Sequence, residues 1–210
     1  MKKICICICG LNRSTHLTIS NFNKLLSIYK IEYILVLSNS KEQEYINNIN
    51  KNIENTQIIK KLILKDYDYN DFRNSENYSN KIIHSIKLLQ DNYDLYILCR
   101  SDLIIGSINL NLINKGKIYF CNNHLNPYTM NDKRINDNII ITKNYNELIK
   151  LIDLHDYNQI KKNYLDINLY KYLNEKRIDK KLITIDYKLV LSECNIIAIN
   201  GDSGSGKTTL

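Results

Sequence analysis

Short apolar runs at residues 4–9, 33–37, 58–64 and 95–99 are separated by stretches with helical spacing, and this alternation constrains the fold more than any other feature. Helices are expected near residues 15–29, 41–53 and 79–90, the last because Ile82, Ile83, Ile86 and Leu89 recur at the period of a helix face. A strand followed by a helix returns the chain to start the next strand in the same direction. The pattern therefore predicts an α/β fold, a mostly parallel sheet with helices on both faces. Ligands of such sheets sit at the carboxyl ends of the strands. Beyond Asp102 the segments shorten, with strands expected near 117–121, 138–142 and 183–191 and helices near 145–155 and 166–175.

The chain has 210 residues, enough to bury a full core. Asn, Ile, Lys and Tyr crowd the sequence while Pro occurs once and Trp not at all, a bias towards AT-rich codons rather than towards any mechanism. The net charge of +7 is scattered among Asp and Glu without a like-charged block, so it reads as a solvated surface and gives no strong sign of nucleic-acid binding. Cys5, Cys7 and Cys9 alternate along one run and share a strand face, where they are expected as small buried side chains rather than as disulfides or zinc ligands. The amino-terminal apolar run is too short for a signal core or a membrane span. With its free thiols, the chain is expected to be cytoplasmic and without a membrane partner. His16, His84, His124 and His155 show no ligand spacing and read as surface or satisfied histidines.

The segment from Tyr93 to Asp102 delivers Arg100 and Asp102 to the carboxyl end of a strand, two residues apart and so on one side. An Asp at that edge can hold Mg²⁺ or Mn²⁺ against a diphosphate, with an Arg offsetting charge nearby. The alternative is an ion pair that caps the strand. Asp137 is a possible second carboxylate, although Asn136-Asp137-Asn138 is ordinary turn chemistry and the turn is the favoured reading. At Tyr93-Asp94 and Arg100-Ser101-Asp102 the chain resembles nucleotide-sugar-dependent glycosyltransferases of the GT-A type, over residues 1–192. The resemblance implies that Gly10-Leu11-Asn12-Arg13 lies near the donor nucleotide, with Arg13 and Arg100 as binding residues. It also implies that Asp102 stands at the last acidic position of the metal-binding Asp-x-Asp, whose first acidic position is here Arg100. A catalytically silent binding or scaffold module is the rival reading.

Residues 193–210 carry a different signal. Gly201-Asp202-Ser203-Gly204-Ser205-Gly206-Lys207-Thr208 fills the phosphate-binding pattern G-x-x-x-x-G-K-[ST] after a short apolar run, and Thr209 follows at the expected helix start. The glycines let backbone N–H groups wrap a phosphate, Lys207 reaches the β and γ phosphates of ATP, and the Thr208 hydroxyl meets Mg²⁺. The stretch from Ile196 to Leu210 resembles the opening of the uridine kinase and phosphoribulokinase family, which implies an ATP-dependent kinase domain. ABC-type ATPases share part of the loop and are the alternative. The helix, second Mg²⁺ ligand and acceptor pocket of such a domain would have to come from residues beyond Leu210, so the 210-residue chain is read as a fusion with an incomplete kinase start. Incubated with ATP·Mg and uridine or cytidine, it is expected to yield no phosphorylated nucleoside in a radiolabel assay.

Overall fold

A computed structural model describes residues 1–11, 14–38, 57–64, 71–122, 135–161, 165–190 and 197–198. The expected helix at 41–53, His124, Arg13 and the phosphate-loop residues Gly201 through Thr209 lie outside these. Strand β1 (Lys3–Gly10) leads into helix α1 (Thr15–Leu25) and returns as β2 (Lys30–Ser38), which is followed by β3 (Gln57–Leu64). Helix α2 (Asp71–Leu88) then precedes β4 (Leu95–Arg100). These strands pair in parallel in the order β3-β2-β1-β4.

The sheet continues through β7 (Asn136–Thr142), β6 (Ile118–Asn122) and β8 (Lys180–Thr184) to seven strands. Only β7 runs against the rest, antiparallel to both β4 and β6, while β8 rejoins β6 in parallel. The expectation of a mostly parallel sheet holds, with this one reversal. A second, antiparallel sheet joins β5 (Leu103–Ser107), β9 (Asp186–Val190) and β10 (Ile197–Ala198). Residues 183–191, expected as one strand, divide at buried Ile185: β8 stays in the large sheet and β9 crosses into the small one. Strand β5 is not foreseen by the sequence, because Gly106 and a bulge interrupt its short pattern; a Cβ at Gly106 would lie 2.5 Å from Asp186 Oδ2.

Strand β1 explains the layering. Its isoleucines Ile4, Ile6 and Ile8 pack with Ile19, Phe22 and Leu26 of the α1 region and with Leu103 and Ile105 of the small sheet. Its cysteines point the other way, into a layer with Ile82, Ile83 and Ile86 of α2 and Leu169 and Tyr172 from the carboxyl-terminal helices. The strand is thus buried on both faces, as a parallel sheet between two layers demands. The single helix expected near 145–155 is two, α3 (Tyr145–Ile149) and α4 (Leu154–Lys161), which precede α5 (Leu165–Glu175). Leu151 in the intervening turn and Leu154 at the start of α4 are both buried, so the break lets the chain keep both in the core. Helix α2 begins well before residue 79 because its first turns are polar and give no apolar face for a sequence pattern to detect. No helix among the described residues is long and apolar enough to cross a membrane.

At the amino edge of the sheet, buried Glu32 accepts a hydrogen bond from Tyr93 Oη at 2.7 Å and faces the ammonium groups of Lys3 at 3.2 Å and Lys30 at 3.7 Å. Burial works against the charged carboxylate, but the Tyr93 and Lys3 hydrogen bonds and the two lysine charges outweigh it and hold Glu32 below the usual range. A depressed pKa contributes stability above the unfolded-state value, and that contribution disappears as the pH falls through the lower folded-state value. Glu32→Gln is expected to cost about 1–3 kcal/mol at neutral pH. In urea titrations the gap between the two proteins should close as the pH is lowered through the carboxylate range.

Candidate functional site

The carboxyl edge of the sheet is tied together by a small set of bonds around Gly10. Strands β1 and β4 end level, with Cys9 opposite Arg100, and β2 ends alongside with Leu37 opposite Gly10. Ser101 fastens the first pair: its N–H donates to the Cys9 carbonyl at 2.9 Å and its Oγ to the Leu11 carbonyl at 2.6 Å. Its own carbonyl accepts from Thr18 Oγ1 at 2.8 Å, which anchors the start of α1. Ser38 Oγ donates to the Gly10 carbonyl at 3.3 Å from the β2 side. Gly10 has φ +139°, and a Cβ there would lie 2.6 Å from Ser101 Oγ. Both the backbone and the space require glycine.

Above this floor lies an open cavity of about 280 Å³, bounded by the ends of β1, β2 and β4 and by α2. It occupies the switch point of the sheet, where the order departs from β1 towards β2 on one side and β4 on the other. Helix α2 supplies Asn77, Tyr78 and Lys81 to the wall. Asn77 and Lys81 are one turn apart, and the Lys81 ammonium donates back to the Asn77 carbonyl at 3.4 Å. Lys81 is only 2% exposed. Cys9 Sγ donates to the Lys81 carbonyl at 3.7 Å. Burial pushes the Cys9 thiol up to about 12, against a hydrogen bond with Ser85 and the charge of Lys81, so it stays protonated at neutral pH.

Arg100 and Asp102 form the opposite rim. The guanidinium donates through Nε to Oδ1 at 2.8 Å and through Nη2 to Oδ2 at 2.7 Å, a bidentate pair that occupies both carboxylate oxygens. Burial works against the Arg100 charge, but the Asp102 hydrogen bonds and charge, aided by Tyr78 and Asp137, hold its pKa above the ordinary value. Burial, reinforced by the Asp137 charge, pushes the Tyr78 phenol well up. Its hydroxyl donates to the Asp137 carbonyl at 3.2 Å. Asp137 therefore belongs to the electrostatics of this rim, although it lies at the start of β7 rather than in a loop. The turn expected at residues 136–138 is instead the start of β7, where Asn136 Oδ1 accepts from the Asn138 N–H at 2.9 Å and both asparagine amides donate to Tyr187 Oη.

Of the residues singled out in the sequence, the structure brings Arg100, Asp102 and Asp137 to one place. Ser38, Asn77 and Tyr78 join them without sequence warning, because each is a common residue whose role depends on which strand end faces which helix; Lys81 and Ser101 join them too. Periodicity alone could have marked Lys81, which falls among Ile82, Ile83 and Ile86 near the apolar face of α2. A divalent ion on Asp102, as expected from the sequence, would have to compete with Arg100 for the carboxylate. Both Asp102 oxygens are held by Arg100, and no group of three His, Cys, Asp or Glu that could hold a metal gathers among the described residues. His155 is engaged elsewhere, its Nδ1 lying 3.0 Å from Ser79 Oγ.

Gly10→Ala is expected to destabilise the protein by about 1–3 kcal/mol, measured by urea unfolding. Adding Ser101→Ala should recover only the steric part, since the backbone conformation at residue 10 remains unsuited to alanine. Compared with known proteins, the chain matches no family model and no curated sequence.

Proposed function

We propose that residues 1–192 bind a nucleotide sugar in the manner of a GT-A glycosyltransferase, with the nucleotide diphosphate in the cavity at the carboxyl edge of the sheet. One observation carries this reading: the cavity lies at the switch point and is walled by two cations, Arg100 and Lys81. The cations suit phosphate oxygens. In transfer, an acceptor hydroxyl attacks the anomeric carbon and gives up its proton to solvent, the bond from that carbon to the phosphate oxygen breaks, and the departing diphosphate carries the charge that Arg100 and Lys81 oppose.

A second nucleotide site is proposed at Gly201 through Thr208, where the sequence pattern supports ATP·Mg binding by a kinase of the uridine kinase type. The two sites use different residues, so they can be separated by mutation. In calorimetric titrations with UDP- and GDP-sugars, Arg100→Ala should weaken binding roughly tenfold or more. Lys207→Ala should leave that binding unchanged and reduce binding of ATP. If the wild-type chain ignores every nucleotide sugar, the first domain is a scaffold and the transferase reading fails.

A further inference from the structure

The turn of α2 that walls the cavity is also held from outside the cavity. It carries Asn77, Tyr78 and Lys81 to the wall, and between them stands Ser79, fully buried and in contact with α4. Ser79 Oγ lies 3.0 Å from the Glu76 carbonyl and 3.0 Å from His155 Nδ1. Its single proton goes to the carbonyl while Nδ1–H donates to the oxygen, or it goes to a bare Nδ1. Either arrangement serves a neutral imidazole. Further along α2, Ile82, Ile83 and Ile86 hold the helix on the sheet, so the contact at Ser79 steadies the turn before them.

His155 is half-buried, and burial works against a charged ring. On its own helix Asp156 favours the imidazolium, and from α2 Glu76 does the same, while His84 and Lys87 of α2 oppose it. Helix α5 also packs on α4, reaching it at Tyr157 through Glu175 and at Asn158 through Asn168. Burial prevails, and the ring is held below its ordinary value. A histidine in the unfolded chain becomes charged at about pH 6.5. The contribution of the neutral ring to stability is therefore complete above that pH and is lost as the pH falls through the lower folded-state value.

We propose that His155 and Ser79 form a pH-sensitive clasp by which α4 steadies the cavity wall on α2, closed while the imidazole is neutral and loosened when it becomes charged. The clasp acts on the shape of the wall, whatever ligand the cavity takes. No covalent bond changes beyond the passage of a proton from solvent to the ring. The charged ring can still donate to Ser79 through Nδ1, so the loosening comes from its charge: an imidazolium facing Lys87 and His84 in half-buried surroundings is better solvated by water.

The test is hydrogen–deuterium exchange of the full chain, read by mass spectrometry from about pH 7.5 to about pH 5.5 and corrected for the chemical rate, with the histidine ring protons followed by NMR. Exchange in residues 76–81 and 154–161 should rise several-fold in step with protonation of His155, at a midpoint below about 6.5, while β1 stays protected. His155→Gln should leave that exchange flat over the same range. Lys87→Glu, at an exposed position, should raise the His155 midpoint and shrink the rise. A midpoint at or above the ordinary histidine value overturns the proposal, as does an equal rise in His155→Gln. A rise confined to residues 154–161 also overturns it, because the wall would then be indifferent to the ring. If His155→Gln does not fold, Lys87→Glu decides: a raised midpoint with a smaller rise supports the clasp, and an unmoved midpoint or an undiminished rise overturns it.

Discussion

Strand β1 has no solvent face, and the rest of the structure follows from that. A strand buried on both sides must have every backbone group paired by its neighbours, which β2 and β4 provide in unbroken parallel register. It must also be covered twice. Isoleucine on one face and cysteine on the other give two apolar surfaces of different depth. The larger side chains meet α1 and the small sheet, and the smaller ones meet α2 and the helices after β7.

The same constraint places the site. Pairing of β1 with β4 through Cys9 and Arg100 fixes where the two strands stop, and Ser101 closes the gap by bonding to the chain on either side of Gly10. A side chain at Gly10 would displace the Ser101 hydroxyl that bonds to the Leu11 carbonyl, so the floor of the cavity depends on glycine there. The wall is less constrained, since α2 is positioned by Ile82, Ile83 and Ile86 on the sheet. Lys81 is carried into the cavity as their neighbour.

Charge is distributed unequally over the two edges of the sheet. At the amino edge, Glu32 is surrounded by Lys3, Lys30 and Tyr93, a closed set in which the donors around the buried anion are all supplied by the protein. At the carboxyl edge, Arg100 is balanced by Asp102 across a turn that opens to solvent. The carboxylate of Glu32 is thus enclosed, whereas the Arg100–Asp102 pair stands beside open space.

Much of the α/β architecture is legible in the sequence because apolar runs and helical spacing are local properties, and β1, β2, β4, α1 and α5 lie close to where the pattern puts them. The nearness of Arg100 and Asp102 is also legible from their spacing, although Asp102 lies in the turn after β4 rather than in the strand that the alternation assumed. What the sequence could not determine depends on pairing between distant segments: the reversal of β7, the crossing of the chain at Ile185 from one sheet to the other, and the emergence of β5 around Gly106. Asp137 reads locally as a turn, and its influence on Arg100 arises only when β7 is laid beside β4. In the sequence, Lys81 is set apart only by its place beside the isoleucines of a helix face. Only the packing of α2 against the sheet sets it within a cavity, because burial is a property of the surfaces that meet and not of the residue that is buried.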